Sequence, residues 1–259
     1  MRNRKLPPLD MHAHIDPTLS RLQLEQLGAV VFAVTRTPAE FEAVRSRNDL
    51  VTVWGLGCHP GLAVAFDQFA RANFWELMQQ TAFIGEVGLD GRSPVHMDRQ
   101  SVAFRRILGM LRVSPRLVSI HSARATGHVI DCLEQTPVQG AILHWWLGTP
   151  DETKRAVDAG CFFSVNMAMV PGKLEYMPLD RLLTETDHPF GDRSSTGLRQ
   201  PGTVEDVEAR LAANYGVSAD VIRSTVWGNL GRLISQTGVG QMLSAPVRKM
   251  LAAAQRDVQ

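Results

Sequence analysis

The sequence predicts an α/β protein, a (β/α)₈ TIM barrel with additional C-terminal helices, and three observations carry that prediction. Eight short runs rich in apolar and β-branched residues recur along the chain, and helix-patterned segments separate them. Side chains able to bind metal stand at the ends of five of these runs. The 259 residues suit one such barrel, so a single domain over residues 1–259 is expected.

The runs are residues 9–12 (LDMH), 29–34 (AVVFAV), 50–56 (LVTVWGL), 82–87 (AFIGEV), 116–120 (RLVSI), 141–143 (AIL), 161–165 (CFFSV) and 181–185 (RLLTE). Most are apolar throughout rather than alternating, as parallel strands buried on both faces are. A doubly wound open sheet is the rival arrangement, since one misplaced strand would change the topology. Residues 98–113 read as a helix with Val102, Ile107, Leu108 and Leu111 near one face and Arg99, Arg105 and Arg106 off it. Thr149 and Pro150 open another helix as N-cap and first helical residue, and Gly160 stops it. Beyond residue 200 the pattern is helical, over 204–214, 218–235 and 239–256, and these helices are expected to close or cover the same domain.

A net charge of +1 gives no overall field that would draw the chain to nucleic acid, although a local basic rim is invisible in that total. Cys58, Cys132 and Cys161 form no CxxC pair and suit reduced, buried thiols. Residues 1–10 lack the apolar core of a signal peptide, and no stretch has the length of a membrane span. A soluble, cytoplasmic protein without a membrane partner is expected.

His12 and His14 end the first run, Glu86 the fourth, His121 the fifth and His144 the sixth, while Asp187 follows the eighth. Barrel active sites form at this strand end, so the six would converge on one mouth. Alternation along a strand also puts both imidazoles of His12-Ala13-His14 on one side. Any one of these residues alone reads better as a hydrogen-bonded structural group. Their coincidence favours a metal site, because an ionised Glu86 or Asp187 in apolar surroundings needs a cation.

The chain at this point resembles the TatD-type metal-dependent deoxyribonucleases, within the amidohydrolase-like barrels. The resemblance rests on Asp10-Met11-His12-Ala13-His14, Gly57-Cys58-His59-Pro60, Gly85-Glu86-Val87-Gly88-Leu89-Asp90, Arg99-Gln100, His121, Leu143-His144, Glu185-Thr186-Asp187-His188-Pro189 and Asn229. It implies two divalent ions (Zn, Mn or Mg), with His12, His14 and Asp187 holding one, His121 and His144 the other, and Glu86 bridging them. Such a pair positions a hydroxide and stabilises charge developing on a phosphodiester. Asp187 would act as general base. His59 would approach the substrate or its leaving group, or merely order its loop.

Departures from the family pattern point to an altered pocket. Arg124 stands three residues after His121, one place later than the family's arginine, and Gly91-Arg92 replaces aromatic residues. Trp145-Trp146 follows His144, and His188 replaces a small residue beside Asp187. Arg124, Trp145, His188 and Arg193 are therefore the candidate substrate contacts, with one of the two tryptophans expected to serve packing instead. Arg193 and Arg199 lie where barrels often bind phosphate, although a solvated loop charge is the plainer reading of either. The expected activity is a metal-dependent DNA phosphodiesterase, a TatD-like DNase of 3′–5′ exonuclease type. The alternatives are hydrolysis of a small-molecule amide, ester or lactone, and a partner-dependent component of a bacterial antiviral defence operon.

Overall fold

The computed structural model describes residues 6–191 and 200–256. Among them are eight strands: β1 (Leu9–Ala13), β2 (Val30–Val34), β3 (Thr52–Gly55), β4 (Phe83–Gly88), β5 (Leu117–His121), β6 (Ala141–His144), β7 (Phe162–Val165) and β8 (Leu182–Thr184). Between them run α1 (Arg21–Gln26), α2 (Pro38–Val44), α3 (Ala63–Asp67), α4 (Arg71–Met78), α5 (Met97–Val113), α6 (Thr126–Gln135) and α7 (Pro150–Asp158). After β8 come α8 (Glu205–Tyr215), α9 (Ala219–Thr237) and α10 (Ala245–Arg256).

All neighbouring strands pair in parallel, as β1-β2-β3 and β4-β5-β6-β7-β8. Two seams join these sheets. Leu56 N donates to Phe83 O at 3.1 Å and Gly85 N to Leu56 O at 2.9 Å, which links the β3 end to β4. At the other seam Asp187 N donates to His12 O and His14 N to His188 O, each at 2.8 Å, while Thr184 Oγ1 bonds Leu9 O. The result is a closed barrel. Its strands are almost wholly buried on both faces, which accounts for their continuous apolar runs. His12 on β1 reaches Ser119 on β5 across the lumen, a contact that only inward-facing residues of a closed sheet can make.

Local chemistry sets the helix ends. Thr149 accepts from Glu152 N while the Glu152 side chain accepts from Thr149 N, a capping box with Pro150 just inside. In α5 the buried face is formed by Gln100, Phe104, Ile107, Leu108 and Leu111, whereas Val102 is 50% exposed. Val102 lies on the opposite side of the wheel from Ile107, five residues away at 100° each. Two further differences from expectation concern helix breaks. The 239–256 segment divides into a 3₁₀ turn (Val239–Met242) and α10, because Pro246 cannot sit within a continuous helix and Ser244 re-caps the chain through Val247 N. Between β7 and β8 the crossover uses two 3₁₀ turns, Pro171–Tyr176 and Leu179–Arg181. No helix among the described residues is long and apolar enough to cross a membrane.

The C-terminal helices are tied to the barrel by polar anchors. Trp227 Nε1 donates to Pro7 O at 2.8 Å, and Arg223 bonds Leu6 O and pairs with the buried Glu208 of α8. Asn229, on α9, donates through Nδ2 to Leu179 O at 3.1 Å and Leu182 O at 2.6 Å, clamping the start of β8. Removing that amide takes away both hydrogen bonds at the start of β8. Asn229→Ala should lower unfolding stability by about 1–3 kcal/mol, read as a reduced urea midpoint with unchanged slope.

Candidate metal centre

Glu86 projects from the end of β4 into the barrel mouth, and it is 2% exposed. Four imidazoles surround its carboxylate. His121 Nδ1 and His144 Nε2 lie 2.5 Å and 2.8 Å from Oε1, while His59 Nε2 and His14 Nε2 lie 3.3 Å and 3.4 Å from Oε2. His12 Nε2 sits between the two carboxylates, 3.7 Å from Glu86 Oε2 and 3.6 Å from Asp187 Oδ1. His14 Nε2 is 3.8 Å from the same Asp187 oxygen, and the rings of His12 and His144 stack with centroids 3.9 Å apart. All six residues expected to be ligands are thus drawn to one point.

The loops are shaped to allow this. A Cβ at Gly57 would fall 1.7 Å from Thr35 O, so only glycine lets the His59 loop close onto the β2 end. Gly88 has φ +139°, and a Cβ there would fall 2.1 Å from His121 O. Asp187 itself adopts a left-handed φ of 46°, from which Asp187 O accepts Phe190 N and Gly191 N.

The electrostatics are strained without a counter-charge. Burial opposes a charged Glu86, but His59, His144 and His121 outweigh it and hold its carboxyl well below the ordinary range. Burial pushes Asp187 well up, against the pull of His144 and with help from Glu185, Glu86 and Asp10. Burial and the neighbouring His144 push His12 well down. Burial resists charge on His121 and His144, yet Glu86 and the carboxylates behind each ring raise both. His12 Nε2 is buried, makes no hydrogen bond and faces two carboxylate oxygens. A nitrogen lone pair beside carboxylates at these spacings fits a divalent cation, whose N and O ligands stand about 2.0–2.2 Å from the ion. Among the described residues three groups could hold one: His12, His14 and Asp187; His12, Glu86 and His144; and His59, Glu86 and His121.

An outer layer of polar groups escaped the sequence reading, although Asp10, Asp90 and Glu185 lay within its motifs. Asp10 accepts from His12 N, Thr186 N, Thr186 Oγ1 and Gly202 N, and burial pushes its carboxyl up to about 6 against those bonds. Asp90 Oδ2 lies 3.0 Å from His121 Nε2; burial works against its charge, but this bond and Arg92 N bring its carboxyl down to about 2. Gln100 holds Asp90 through both of its backbone groups. Glu185, fully buried, accepts from Ser164, Asn166 and Trp145 N behind His144. The sign available in sequence was a carboxylate inside an otherwise apolar strand run, at Asp10 and Glu185.

The predicted substrate contacts scatter more widely. Trp145 is half-buried at the mouth with a left-handed φ of 41°, its N–H held by Glu185. Trp146 is the packing tryptophan, fully buried with Nε1 on Thr153 Oγ1. Arg124 is exposed on the β5 loop with φ 50°. His188 is half-buried, and its carbonyl supports His14. Arg193 and Arg199 lie outside the described residues. The remaining histidines lie away from the cluster: His96 caps α5 and His128 is exposed on α6.

A closed parallel barrel with a His/Glu/Asp cluster at its C-terminal mouth defines a class of protein found among barrel enzymes. The chain belongs to the TatD-related DNase family, whose sequence profile matches residues 9–235. It is 24% identical to the Escherichia coli K12 protein described as uncharacterised metal-dependent hydrolase YcfH, over 86% of this chain and 89% of that one. It is also 24% identical to the Klebsiella pneumoniae 3′–5′ ssDNA/RNA exonuclease TatD, over 84% and 90%. The crystal structure of the E. coli TatD homologue YjjV superposes with a TM-score of 0.75 at 20% identity, covering 89% of this chain and 98% of that one, which shows the shared fold.

Two outcomes follow from the geometry. Ser119 Oγ lies 2.7 Å from His12 Nδ1 and fixes that ring, so Ser119→Ala should weaken Mn²⁺ affinity about 10–100-fold by calorimetry. Cations and protons compete for the same atoms. His121, His144 and Asp187 all hold protons more tightly than usual, so each must shed one for the site to fill. Mn²⁺ affinity should therefore rise as pH increases from about 6 to about 8, with proton release visible as a buffer-dependent enthalpy.

Proposed function

We propose that the chain is a metal-dependent hydrolase of phosphodiester bonds, a deoxyribonuclease that removes nucleotides from the 3′ end of DNA. The observation that carries this reading is the convergence of His12, His14, His121, His144 and Asp187 on the buried Glu86 carboxylate. Family membership and the exonuclease name of the Klebsiella relative support the choice of a nucleic-acid substrate. Divalent cations (Zn²⁺, Mn²⁺ or Mg²⁺) held there would polarise a phosphoryl oxygen and render an attacking water more acidic.

The protein's own residues have distinct tasks. His12, His14 and Asp187 would hold one cation and His121 and His144 the other, with Glu86 available to both. Asp187 takes the proton of the attacking water, its carboxylate standing beside His12 and His14 in the cluster. Asp90 and Glu185 orient His121 and His144 from behind. At the rim the half-buried Trp145 offers a ring for a base and the exposed Arg124 a charge for a phosphate. The helices after β8 belong to the same functional domain, as the Trp227 and Asn229 anchors suggest.

The test is degradation of 5′-labelled single-stranded DNA with each divalent ion, by the wild type, Glu86→Ala and Asp187→Asn. A ladder is expected with the wild type, reduced at least about 10³-fold in both variants and abolished by EDTA. Turnover of carboxylic esters, amides or lactones with DNA left intact would replace the nuclease reading with a small-molecule hydrolase.

A further inference from the structure

The imidazoles around Glu86 are not wired alike at their second ring nitrogens. His121 Nε2 faces the Asp90 carboxylate at 3.0 Å, and His144 Nδ1 faces that of Glu185 at 3.8 Å. At hydrogen-bond distance, as at Asp90, a carboxylate draws the ring proton outward and leaves the inward nitrogen with a free lone pair, whereas Glu185 at 3.8 Å acts on His144 by its charge alone. His12 Nδ1 faces Ser119 Oγ, which can accept in the same way.

His59 is wired in the opposite sense. Its Nδ1 accepts a hydrogen bond from Gly61 N at 2.9 Å. A backbone N–H can only donate, so Nδ1 carries no proton. A neutral imidazole must carry one, and the remaining place is Nε2, which points into the site 3.3 Å from Glu86 Oε2. Glycine at 61 makes this possible, because a Cβ there would fall 2.9 Å from His59 Cε1 and 3.0 Å from Nδ1.

We propose that His59 is a fixed, neutral hydrogen-bond donor for an anionic phosphoryl oxygen of the substrate, and neither a metal ligand nor an acid that transfers its proton. Ligation through Nε2 would require an imidazolate, and so would complete transfer of the Nε2 proton to a leaving oxygen. Neither is within reach while Gly61 occupies Nδ1. Of the three candidate cation groups, the one containing His59 therefore drops out. A neutral imidazole aimed at developing negative charge stabilises it without a proton moving, as such rings do in other enzymes.

This inference rests on the phosphodiesterase reading only for the identity of the oxygen, and its test separates the two. In ¹⁵N-histidine-labelled protein, NMR should show His59 with Nδ1 unprotonated and Nε2 protonated, both before and after addition of Zn²⁺. His59→Phe should bind as many Zn²⁺ per chain as the wild type, with affinity within about threefold. On bis(p-nitrophenyl) phosphate, kcat of that variant should fall about 10²–10³-fold with little change in KM, and His59→Gln, whose amide can donate, should recover at least about tenfold of the loss. A protonated His59 Nδ1, or one Zn²⁺ fewer in His59→Phe, would overturn the proposal. If the wild type cleaves no phosphodiester, the nuclease reading fails while the NMR and Zn²⁺ measurements still decide the wiring of His59.

Discussion

Everything at the barrel mouth depends on keeping one carboxylate, Glu86, charged where almost no water reaches it. Desolvating a carboxylate costs several kcal/mol even in a relaxed protein interior. The fold answers with imidazoles from four other strand ends, and each of these needs its own support. That requirement explains the second layer, in which Ser119, Asp90 and Glu185 stand behind His12, His121 and His144. Close backbone approaches at Gly57 and Gly88 serve the same centre. The site is a set of mutually dependent charges whose geometry is paid for by glycines and by left-handed residues such as Asp187.

The outer layer sorts the histidines by function. A ring backed by a carboxylate presents a lone pair, whereas a ring backed by an amide N–H presents a proton. The two kinds of neighbour lie at comparable distances, so residue type and proximity to Glu86 do not separate His59 from His121. Only the identity of the second partner does. The same principle gives Glu185 an influence on the mouth, since its carboxylate holds the Trp145 backbone in a left-handed conformation directly after His144.

Much of the barrel was legible because parallel strands buried on both faces leave continuous apolar runs, and all eight runs coincide with strands. The six clustered residues were legible because they stand at the same end of those runs. What could not be read depended on partners distant in the chain. Ser119 meets His12 from 107 residues away, and Asp10 meets Gly202 from 192 residues away. Nothing local marks Ser119 as more than a strand residue. On α5 the apolar Val102 faces solvent, and an apolar side chain by itself does not mark burial. The 239–256 break needed the weight of Pro246 in a pattern that otherwise stays helical.

The β1–β8 seam joins the first strand of the barrel to the last, and its hydrogen bonds involve the backbone of His12, His14 and Asp187 themselves. The hydrogen bonds that close the cylinder are thus the ones that set three of the cluster's residues side by side. During synthesis on the ribosome His12 and His14 emerge long before Asp187, the third member of their group, which arrives only with the eighth strand. A chain interrupted before that strand would retain most of the ligand residues but none of the enclosure, and a cation binding the finished site would act as a clasp on the whole cylinder.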